Sequence, residues 1–365
     1  MLRIGFIGSG LIAWAHALGL KAMIDDGLID ASIVAVHDPR ERRAQGFIEA
    51  VGSHEGVAVV DAAEVAARAD AVWVCTPTAA HRGAVDAALD RERAVFCEKP
   101  LGPNLAGATE LVEAVAASGV PSQSGLVLRS APVFRALRDL VASGDLGEPM
   151  AAVFRDDQFF PIQGHYASKW RADVEQAGGG CLIEHSIHDL DILRFCFGEV
   201  DEVTAHTVNY AGHPGIEDVA SVSMAFASGM TAQVTSVWHD ILSRGSNRRI
   251  EVFLLRGMVR LSNEFRGPLH IQTSENIEVR ECPSPEWVDT LPLPDDIGLA
   301  VRAYAEADRS FVDAVTSGLP PEPGLDVALE AHRLVDAAYR SAAGDGLVDV
   351  RTMVRGPGPP GTAGT

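Results

Sequence analysis

The fold is decided by the stretch Gly5-Phe6-Ile7-Gly8-Ser9-Gly10-Leu11-Ile12-Ala13, which follows an apolar run and opens a helix-like segment. Its pattern is G-x-G-x-x-A. In such a turn Gly8 allows a sharp bend, Gly10 lets the backbone approach a pyrophosphate, and Ala13 permits close packing of helix on strand. The amino terminus of the helix then offers N–H donors to phosphates. The stretch predicts a dinucleotide-binding turn, with a purely structural glycine turn as the alternative. The residues expected at the phosphates are Gly8, Ser9, Gly10, Leu11 and Ile12.

Short apolar runs alternate with helix-like segments as far as residue 125. The runs are nearly continuous, as is typical of strands that are covered on both faces. This alternation predicts a doubly wound parallel sheet, a Rossmann domain, over residues 1–125. The predicted strands are Arg3–Ile7, Ala31–Val36, Val57–Val60, Ala71–Cys75, Ala94–Cys97 and Val120–Val127.

Polar residues follow the second and fourth strands, at the sheet edge where such folds bind ligands. Asp38 is placed to bind the adenosine ribose, which favours NAD because a carboxylate repels a 2′-phosphate. Arg40 could pair with that phosphate, so NADP is the alternative cofactor. Thr76 and Pro77 are expected near the nicotinamide, and His81 is either a cofactor contact or a packing residue.

The fifth strand ends in Glu98-Lys99-Pro100, where the proline restricts the backbone around the lysine. A lone loop lysine more often extends into solvent. However, the glycine turn, Asp38, Thr76-Pro77-x-x-x-His81 and Glu98-Lys99-Pro100, in this order, resemble the Gfo/Idh/MocA family of oxidoreductases. The resemblance implies that Lys99 lies beside both the nicotinamide and the substrate hydroxyl, with Glu98 near the cofactor.

The stretch Gly125–Phe134 is similar to the family segment that joins the two domains. The resemblance implies a substrate contact for Arg129, whereas Leu128 stands where many members carry a polar residue. In the second domain we predict a strand at Ala151–Phe154, followed by Asp156, which either faces a polyol or is a solvated strand end. Beyond it, Trp170 and Arg171 are candidate substrate contacts, with loop packing as the alternative for Trp170.

Helical spacing from Leu182 to Phe197 places Glu184 and His188 on one face, four residues apart. A carboxylate beside an imidazole is the arrangement of a general base, although exposed helix faces also carry such pairs. The resemblance implies catalysis by His188, with Glu184 standing where the family has Asp. It does not predict His185, which is a further candidate for substrate contact.

The remainder of the chain predicts an α+β domain over residues 126–350 with a large, mostly antiparallel, open-faced sheet. Alternating strands follow one another between Glu202 and Glu281, and two amphipathic helices follow them. Residues 351–365 are rich in Gly and Pro and are expected to form a flexible tail. The resemblance implies a homodimer or homotetramer.

Composition excludes several classes of partner. The net charge of −20 argues against binding to nucleic acid or to anionic membranes, because both require Lys and Arg. Neither a signal peptide nor an apolar run of roughly 20 residues is visible, so we expect a cytoplasmic protein. Five cysteines without CxxC spacing indicate free thiols and no metal site.

The expected function is that of an NAD(P)-dependent oxidoreductase that acts on a CH–OH or C=O group of a sugar, cyclitol or related polyol. His188 would remove the hydroxyl proton, Glu184 would orient His188, and Lys99 would stabilise the alkoxide. A redox-assisted glycosidase that uses NAD transiently is one alternative. The other is a non-enzymatic, cofactor-sensing regulator, against which the retention of Lys99 and His188 argues.

Overall fold

The computed structural model describes residues 1–265, 267–293 and 298–353, with the backbone alone for 298–300. Its internal contacts define two units. Of the described residues, the first comprises Met1–Val127 and Pro285–Leu329, and the second comprises Leu128–Ser284 and residues 330–353. The sequence had predicted a division after residue 125, with residues 285–329 in the second domain. Of the predicted tail, residues 351 and 352 lie in a short 3-10 turn, and residues 354–365 lie outside the described part.

The first unit contains six parallel strands in the order β3-β2-β1-β4-β5-β6, which confirms the predicted doubly wound sheet. The last strand is shorter than predicted. The strands are β1 Leu2–Ile7, β2 Ala31–His37, β3 Val57–Ala58, β4 Ala71–Val74, β5 Ala94–Cys97 and β6 Ser122–Ser124.

Helices cover both faces of this sheet, which explains why its strands are almost uniformly apolar. Those of the first unit are α1 Leu11–Asp25, α2 Glu41–Val51, α3 Ala62–Arg68, α4 His81–Leu89, α5 Leu105–Ser118, α9 Glu286–Thr290 and α10 Gly298–Ser317. One core lies between the sheet and α1, α2 and α10, and the other lies beneath α3, α4 and α5. A Cβ on Gly19 of α1 would lie 3.1 Å from Cβ of Ala305. Because α10 packs closely against α1, the stretch Pro285–Leu329 that contains α10 belongs to the first unit.

The second unit is built on nine strands in the order β14-β13-β12-β11-β7-β10-β9-β8-β15. Among the described residues, only the β7–β10 pairing of this sheet is parallel, so the predicted mostly antiparallel sheet is confirmed. The strands are β7 Pro149–Phe159, β8 Val200–Val208, β9 Val219–Phe226, β10 Thr231–His239, β11 Asn247–Leu254, β12 Gly257–Leu261, β13 Leu269–Thr273, β14 Ile277–Arg280 and β15 Val348–Asp349. Strand β15 lies outside the predicted strand-rich stretch from Glu202 to Glu281, and β7 continues five residues beyond the predicted end at Phe154.

One face of the nine-stranded sheet packs against helices, and the other is open. The remaining helices are α6 Pro132–Ser143, α7 Val174–Ala177, α8 Ile187–Phe197 and α11 Leu325–Arg340, the last of which crosses the boundary between the units. Exposed and buried residues alternate along β10, and its buried Val234 belongs to the same core as Leu190 and Leu193 of α8. A single π-helical turn, Leu182–Ser186, leads directly into α8. Such turns interrupt helices frequently at functional sites.

Candidate functional site

The glycine turn after β1 has the geometry that a dinucleotide requires. Gly8 has φ +93°, and a Cβ there would lie 2.5 Å from the carbonyl oxygen of Cys75. Gly10 caps α1, and a Cβ there would have no atom within 4 Å. Among the described residues no side chain caps α1, so its first N–H groups are available to an anion. The turn therefore fits the pyrophosphate of NAD.

Asp38 fastens this turn to the end of β2. Its Oδ2 accepts hydrogen bonds from the backbone N–H of Ser9 at 3.1 Å and from the Ser9 hydroxyl at 2.9 Å. Its Oδ1 accepts from the backbone N–H of Arg40 at 2.9 Å. Both oxygens are thus engaged within the turn, which fixes the position of the carboxylate at the end of β2. The side chain of Arg40 is exposed at the start of α2.

The turn after β4 carries a buried polar atom that fits a ligand. Oγ1 of Thr76 is buried and has no hydrogen-bond partner within the described ranges. His81 is 1% exposed, and its Nε2 lies 3.0 Å from the carbonyl oxygen of Thr76. The buried His81 thus contacts the backbone of the Thr76-Pro77 turn. This contact favours the packing alternative for this histidine.

Glu98 and Lys99 follow β5, but they differ in environment. Glu98 is 4% exposed, and its Oε2 accepts the backbone N–H of Lys99 at 3.2 Å. Its Oε1 lies 3.0 Å from Nε2 of His16. The carboxylate is thus enclosed and shapes the turn. Its predicted contact with the cofactor stays a prediction. The Lys99 side chain is half-buried.

Two glycine variants separate folding from cofactor binding. Gly8→Ala should lower the free energy of unfolding by about 2 kcal/mol or more, because it combines left-handed strain with a backbone clash. Gly10→Ala should leave the melting temperature unchanged and weaken NAD about tenfold or more, because its methyl group enters open space at the helix terminus. Calorimetric melting and NAD titration measure the two effects. Equal melting temperatures for the two variants would refute the role assigned to Gly8.

In the second unit, Glu184 lies in the π-helical turn and is 3% exposed. Its Oε2 accepts from Nε of Arg171 at 2.9 Å. The Arg171 guanidinium also lies over the ring of Trp170, 4.4 Å from its centroid. Trp170 packs against the core of this unit, in agreement with the packing alternative for this residue. His188 lies in the first turn of α8 and is 6% exposed.

A row of polar side chains crosses the inner face of the sheet below this turn. Ser236, Asp156 and Arg248 are register partners on β10, β7 and β11. Asp156 is fully buried, so the alternative of a solvated strand end is wrong: the strand continues past Asp156 to Phe159. The hydroxyl of Ser186 donates to Ser236 at 2.6 Å or to Asp156 at 3.3 Å.

His185 completes this row. Its Nε2 lies 2.9 Å from Nη2 of Arg248 and 3.0 Å from Oδ2 of Asp156. A guanidinium only donates and a carboxylate only accepts, so one ring nitrogen cannot bond to both at once. The position of the ring proton therefore selects the partner: Nε2 without a proton accepts from Arg248, and Nε2 with a proton donates to Asp156.

Arg248 is the cation of a buried, acid-rich cluster. It lies 2.6 Å from Asp189, 3.0 Å from Glu264 and 3.4 Å from Asp156. Three carboxylates thus surround one guanidinium. Burial raises the pKa of Asp189 to about 6, although the charge of Arg248 opposes the rise. Burial also raises the pKa of Asp156, although the charge of Arg248 opposes this rise as well.

The raised pKa of Asp189 has a consequence for stability. Since the ordinary value is 3.8, the folded protein keeps a proton up to about pH 6 that the unfolded chain has already lost. The free energy of unfolding should therefore fall as the pH rises through this window, by at most about 3 kcal/mol. Asp189→Asn cannot titrate and should flatten the dependence, as urea unfolding across the window would measure. The exposed Asp139→Asn is the control, and parallel profiles for wild type and Asp189→Asn would contradict the assignment.

Arg129, the predicted substrate contact, has its guanidinium engaged within the unit. Its Nε and Nη2 donate to the two oxygens of Asp191, at 2.8 Å and 2.6 Å. Asp191 is buried on α8. This bidentate pair anchors the segment that precedes α6 to α8. Leu128, next to it, is 3% exposed and belongs to the core of this unit.

Local sequence patterns missed His16, Arg248 and Glu264. The only signal was polar residues at inward-facing strand positions, such as Arg248 opposite Asp156. Within residues 1–265, 267–293 and 298–353, no group of three or more His, Cys, Asp or Glu side chains is arranged to hold a metal ion. Across the same residues, no helix is long and apolar enough to cross a membrane.

Comparison with known proteins places these features in a family. A model described as "Oxidoreductase family, NAD-binding Rossmann fold" matches residues 2–126, and the "GFO/IDH/MocA C-terminal domain" model matches residues 134–260. Inositol 2-dehydrogenase of Rhizobium meliloti (strain 1021) is 29% identical over 351 residues, covering 94% of this chain and 97% of the relative. Myo-inositol 2-dehydrogenase of Thermotoga maritima is 32% identical over 341 residues, covering 88% and 90%.

A solved structure agrees in fold. An oxidoreductase from Agrobacterium radiobacter, in complex with NAD+, L-tartaric acid and magnesium, superposes with a TM-score of 0.81. It is 23% identical, and the superposition covers 97% of this chain and 99% of that chain, so the likeness bears on the fold alone.

The first unit combines a doubly wound parallel sheet with a glycine turn and matches an NAD-binding oxidoreductase model. These features define an NAD-dependent oxidoreductase. The chain belongs to the Gfo/Idh/MocA family of oxidoreductases. The predicted family, fold class, NAD cofactor and enzymatic nature are thereby confirmed.

Proposed function

We propose that this oxidoreductase oxidises a secondary alcohol of a cyclitol or cyclic sugar, or reduces the corresponding ketone. The observation that carries the proposal is the position of Lys99 at the carboxyl end of β5, in an NAD-binding sheet, with its backbone held by Glu98. The names of the relatives, inositol 2-dehydrogenases, favour a cyclitol. The side chain of Leu128 is apolar and buried in the core, so it offers no polar contact to a substrate.

The roles of the side chains follow from their chemistry. Bound NAD supplies the site that accepts or returns a hydride. The cofactor would be held by the Gly8–Ile12 turn, Asp38 and the hydroxyl of Thr76. His188 takes the proton of the substrate hydroxyl, and Lys99, as an ammonium, stabilises the negative charge that develops on that oxygen.

The other polar residues would orient substrate or base. Arg171, fixed on Trp170, holds Glu184 by an ion pair at 2.9 Å. We assign Glu184 to the orientation of His188 and of bound hydroxyls. His185 is the second imidazole available to a polyol, with Asp156 and Arg248 behind it.

The test is a panel of cyclitols, cyclic sugars and open-chain polyols, each with NAD and with NADP, followed by absorbance of the reduced nicotinamide. We expect turnover with a cyclitol, faster with NAD than with NADP because of the Asp38 charge. Failure of every polyol to reduce either cofactor, in a protein that binds NAD, would overturn the proposal and favour a sensing role.

We propose further that the open face of the nine-stranded sheet forms an interface between copies of the chain. Val153 and Phe253 expose 50% and 43% of their surface there. Glu251 lies between Val153 and Arg260 in register, so both charges and apolar groups are available for self-association. Val153→Glu combined with Phe253→Glu should reduce the mass measured by light scattering to that of a monomer. An unchanged mass would place the interface elsewhere.

We also propose a cytoplasmic location. The five cysteines are all free and buried, which is typical of a reducing compartment.

A further inference from the structure

We propose that His16, which bridges Asp308 and Glu98, is a positioning residue that fixes the turn carrying Lys99. The inference rests on the proposed function, in which Lys99 acts on the substrate oxygen. It concerns a residue of α1 that lies outside the glycine turn and that the proposed reaction does not use.

Both ring nitrogens of His16 face carboxylate oxygens. Nδ1 lies 2.7 Å from Oδ1 of Asp308, and Nε2 lies 3.0 Å from Oε1 of Glu98. Carboxylates accept and do not donate, so both contacts are hydrogen bonds only when the imidazole carries two protons. The side chain is fully buried. Burial opposes the charge, but the two carboxylates outweigh it and raise the pKa of His16 to about 10. The ring is therefore an imidazolium at neutral pH.

The bridge continues at both ends into fixed structure. At one end, Nε1 of Trp73 donates to Oδ1 of Asp308 at 2.8 Å. At the other, Oε2 of Glu98 accepts the backbone N–H of Lys99 at 3.2 Å. Helices α1 and α10 and strand β4 are thereby connected through hydrogen bonds to the peptide of Lys99.

Glu98 has little freedom to adopt another position. A Cβ placed on Gly125 would lie 2.5 Å from its Oε1. The imidazole is confined as well, since the rings of Phe96 and Tyr304 stand edge-on to it at 4.9 and 5.1 Å. A tightly enclosed charge pair of this kind sets one geometry for the turn, and so for the backbone from which the Lys99 side chain extends.

Loss of the His16 charge leaves Asp308 and Glu98 as two buried carboxylates without a cation. One of them must then take up a proton or move towards water. Either change alters the oxygen that holds the Lys99 N–H. Because a displacement of about 1 Å at a reacting group can cost about 10²-fold in rate, we expect His16→Gln to lower kcat by that order.

The composition of the chain allows a direct measurement. There are three lysines, Lys21, Lys99 and Lys169, so protein labelled with ¹⁵N-lysine gives three backbone amide signals. Lys21→Arg and Lys169→Arg assign them. In His16→Gln we expect the Lys99 amide to move and the other two to remain in place. Glu98→Gln disturbs the same bridge from its other end and leaves His16 paired with Asp308, so it provides a second, milder variant with the same expected shift.

A matched control separates positioning from general destabilisation. Leu20 is buried on the same helix without a part in the bridge. Leu20→Ala should lower the melting temperature and leave the Lys99 amide and kcat unchanged. The double variant His16→Gln/Glu98→Gln places two neutral amides side by side and should recover about tenfold of the lost kcat.

Three results would overturn the inference: an unmoved Lys99 amide in folded His16→Gln, an equal movement in Leu20→Ala, or a moved amide with unchanged kcat. The amide signals are recorded without substrate. Absence of turnover in the wild-type protein would therefore count against the proposed function, while the amide shift would still report on the bridge.

Discussion

Replacement of Lys99 by Met is expected to lower kcat by about 10²–10³-fold while NAD still binds, because it removes the cation that stabilises the developing alkoxide. Methionine keeps most of the apolar stem and should leave the fold intact. The turn itself is held through the backbone N–H of residue 99, which the substitution retains. Steady-state kinetics give kcat, and titration with NAD gives the dissociation constant.

The matched control is Lys21→Met. Lys21 lies on α1 and pairs with Asp25 at an exposed position. Its substitution should leave both kcat and NAD binding within about twofold of wild type, as for other exposed positions. Comparable turnover in the Lys99 and Lys21 variants would remove Lys99 from the mechanism.

Replacement of His188 by Asn is expected to lower kcat/KM by about 10²–10⁴-fold, the range contributed by a general base. Asparagine keeps a polar side chain of related shape in the first turn of α8 but cannot take up the proton. The acid limb of the pH profile of kcat/KM, which reports protonation of the base, should disappear in the variant. Initial rates across the acid and neutral range measure both effects.

His206 provides the comparison, because it is an exposed histidine on β8 of the same unit. His206→Asn should retain the rate and the acid limb of wild type. An acid limb that persists in His188→Asn with undiminished amplitude would assign the proton transfer to another group, for which His185 is the candidate.

The features that sequence predicts well are those set by local physical chemistry. Gly8 has a positive φ and no room for a Cβ, and this requirement shows directly as glycine in the pattern. The strands of the first unit are covered on both faces, which shows as continuous apolar runs such as Ala71–Val74. Lys99 and Pro100 follow such a run, so their position at the sheet edge could be predicted.

The features that sequence fails to predict depend on contacts between distant residues. His16 and Asp308 are 292 positions apart, and no local spacing relates them. Arg248 and Asp156 are paired through strand register, which a one-residue shift would abolish. The solvated alternative for Asp156 was wrong because a buried acid is expected only where a buried cation accompanies it, and Arg248 could not be foreseen. The π-helical turn at Glu184 likewise has no signal in the helical periodicity.

The most direct measurement is the mass of the reduced nicotinamide formed from a cyclitol that is deuterated on its ring carbons. Hydride transfer should place one deuterium in each molecule of reduced cofactor, with one ketone formed for each. Such a result requires net oxidation of a CH–OH group by NAD. Formation of product with no net reduced nicotinamide, or with a cofactor that carries no deuterium, would overturn the assignment of this chain as a polyol dehydrogenase.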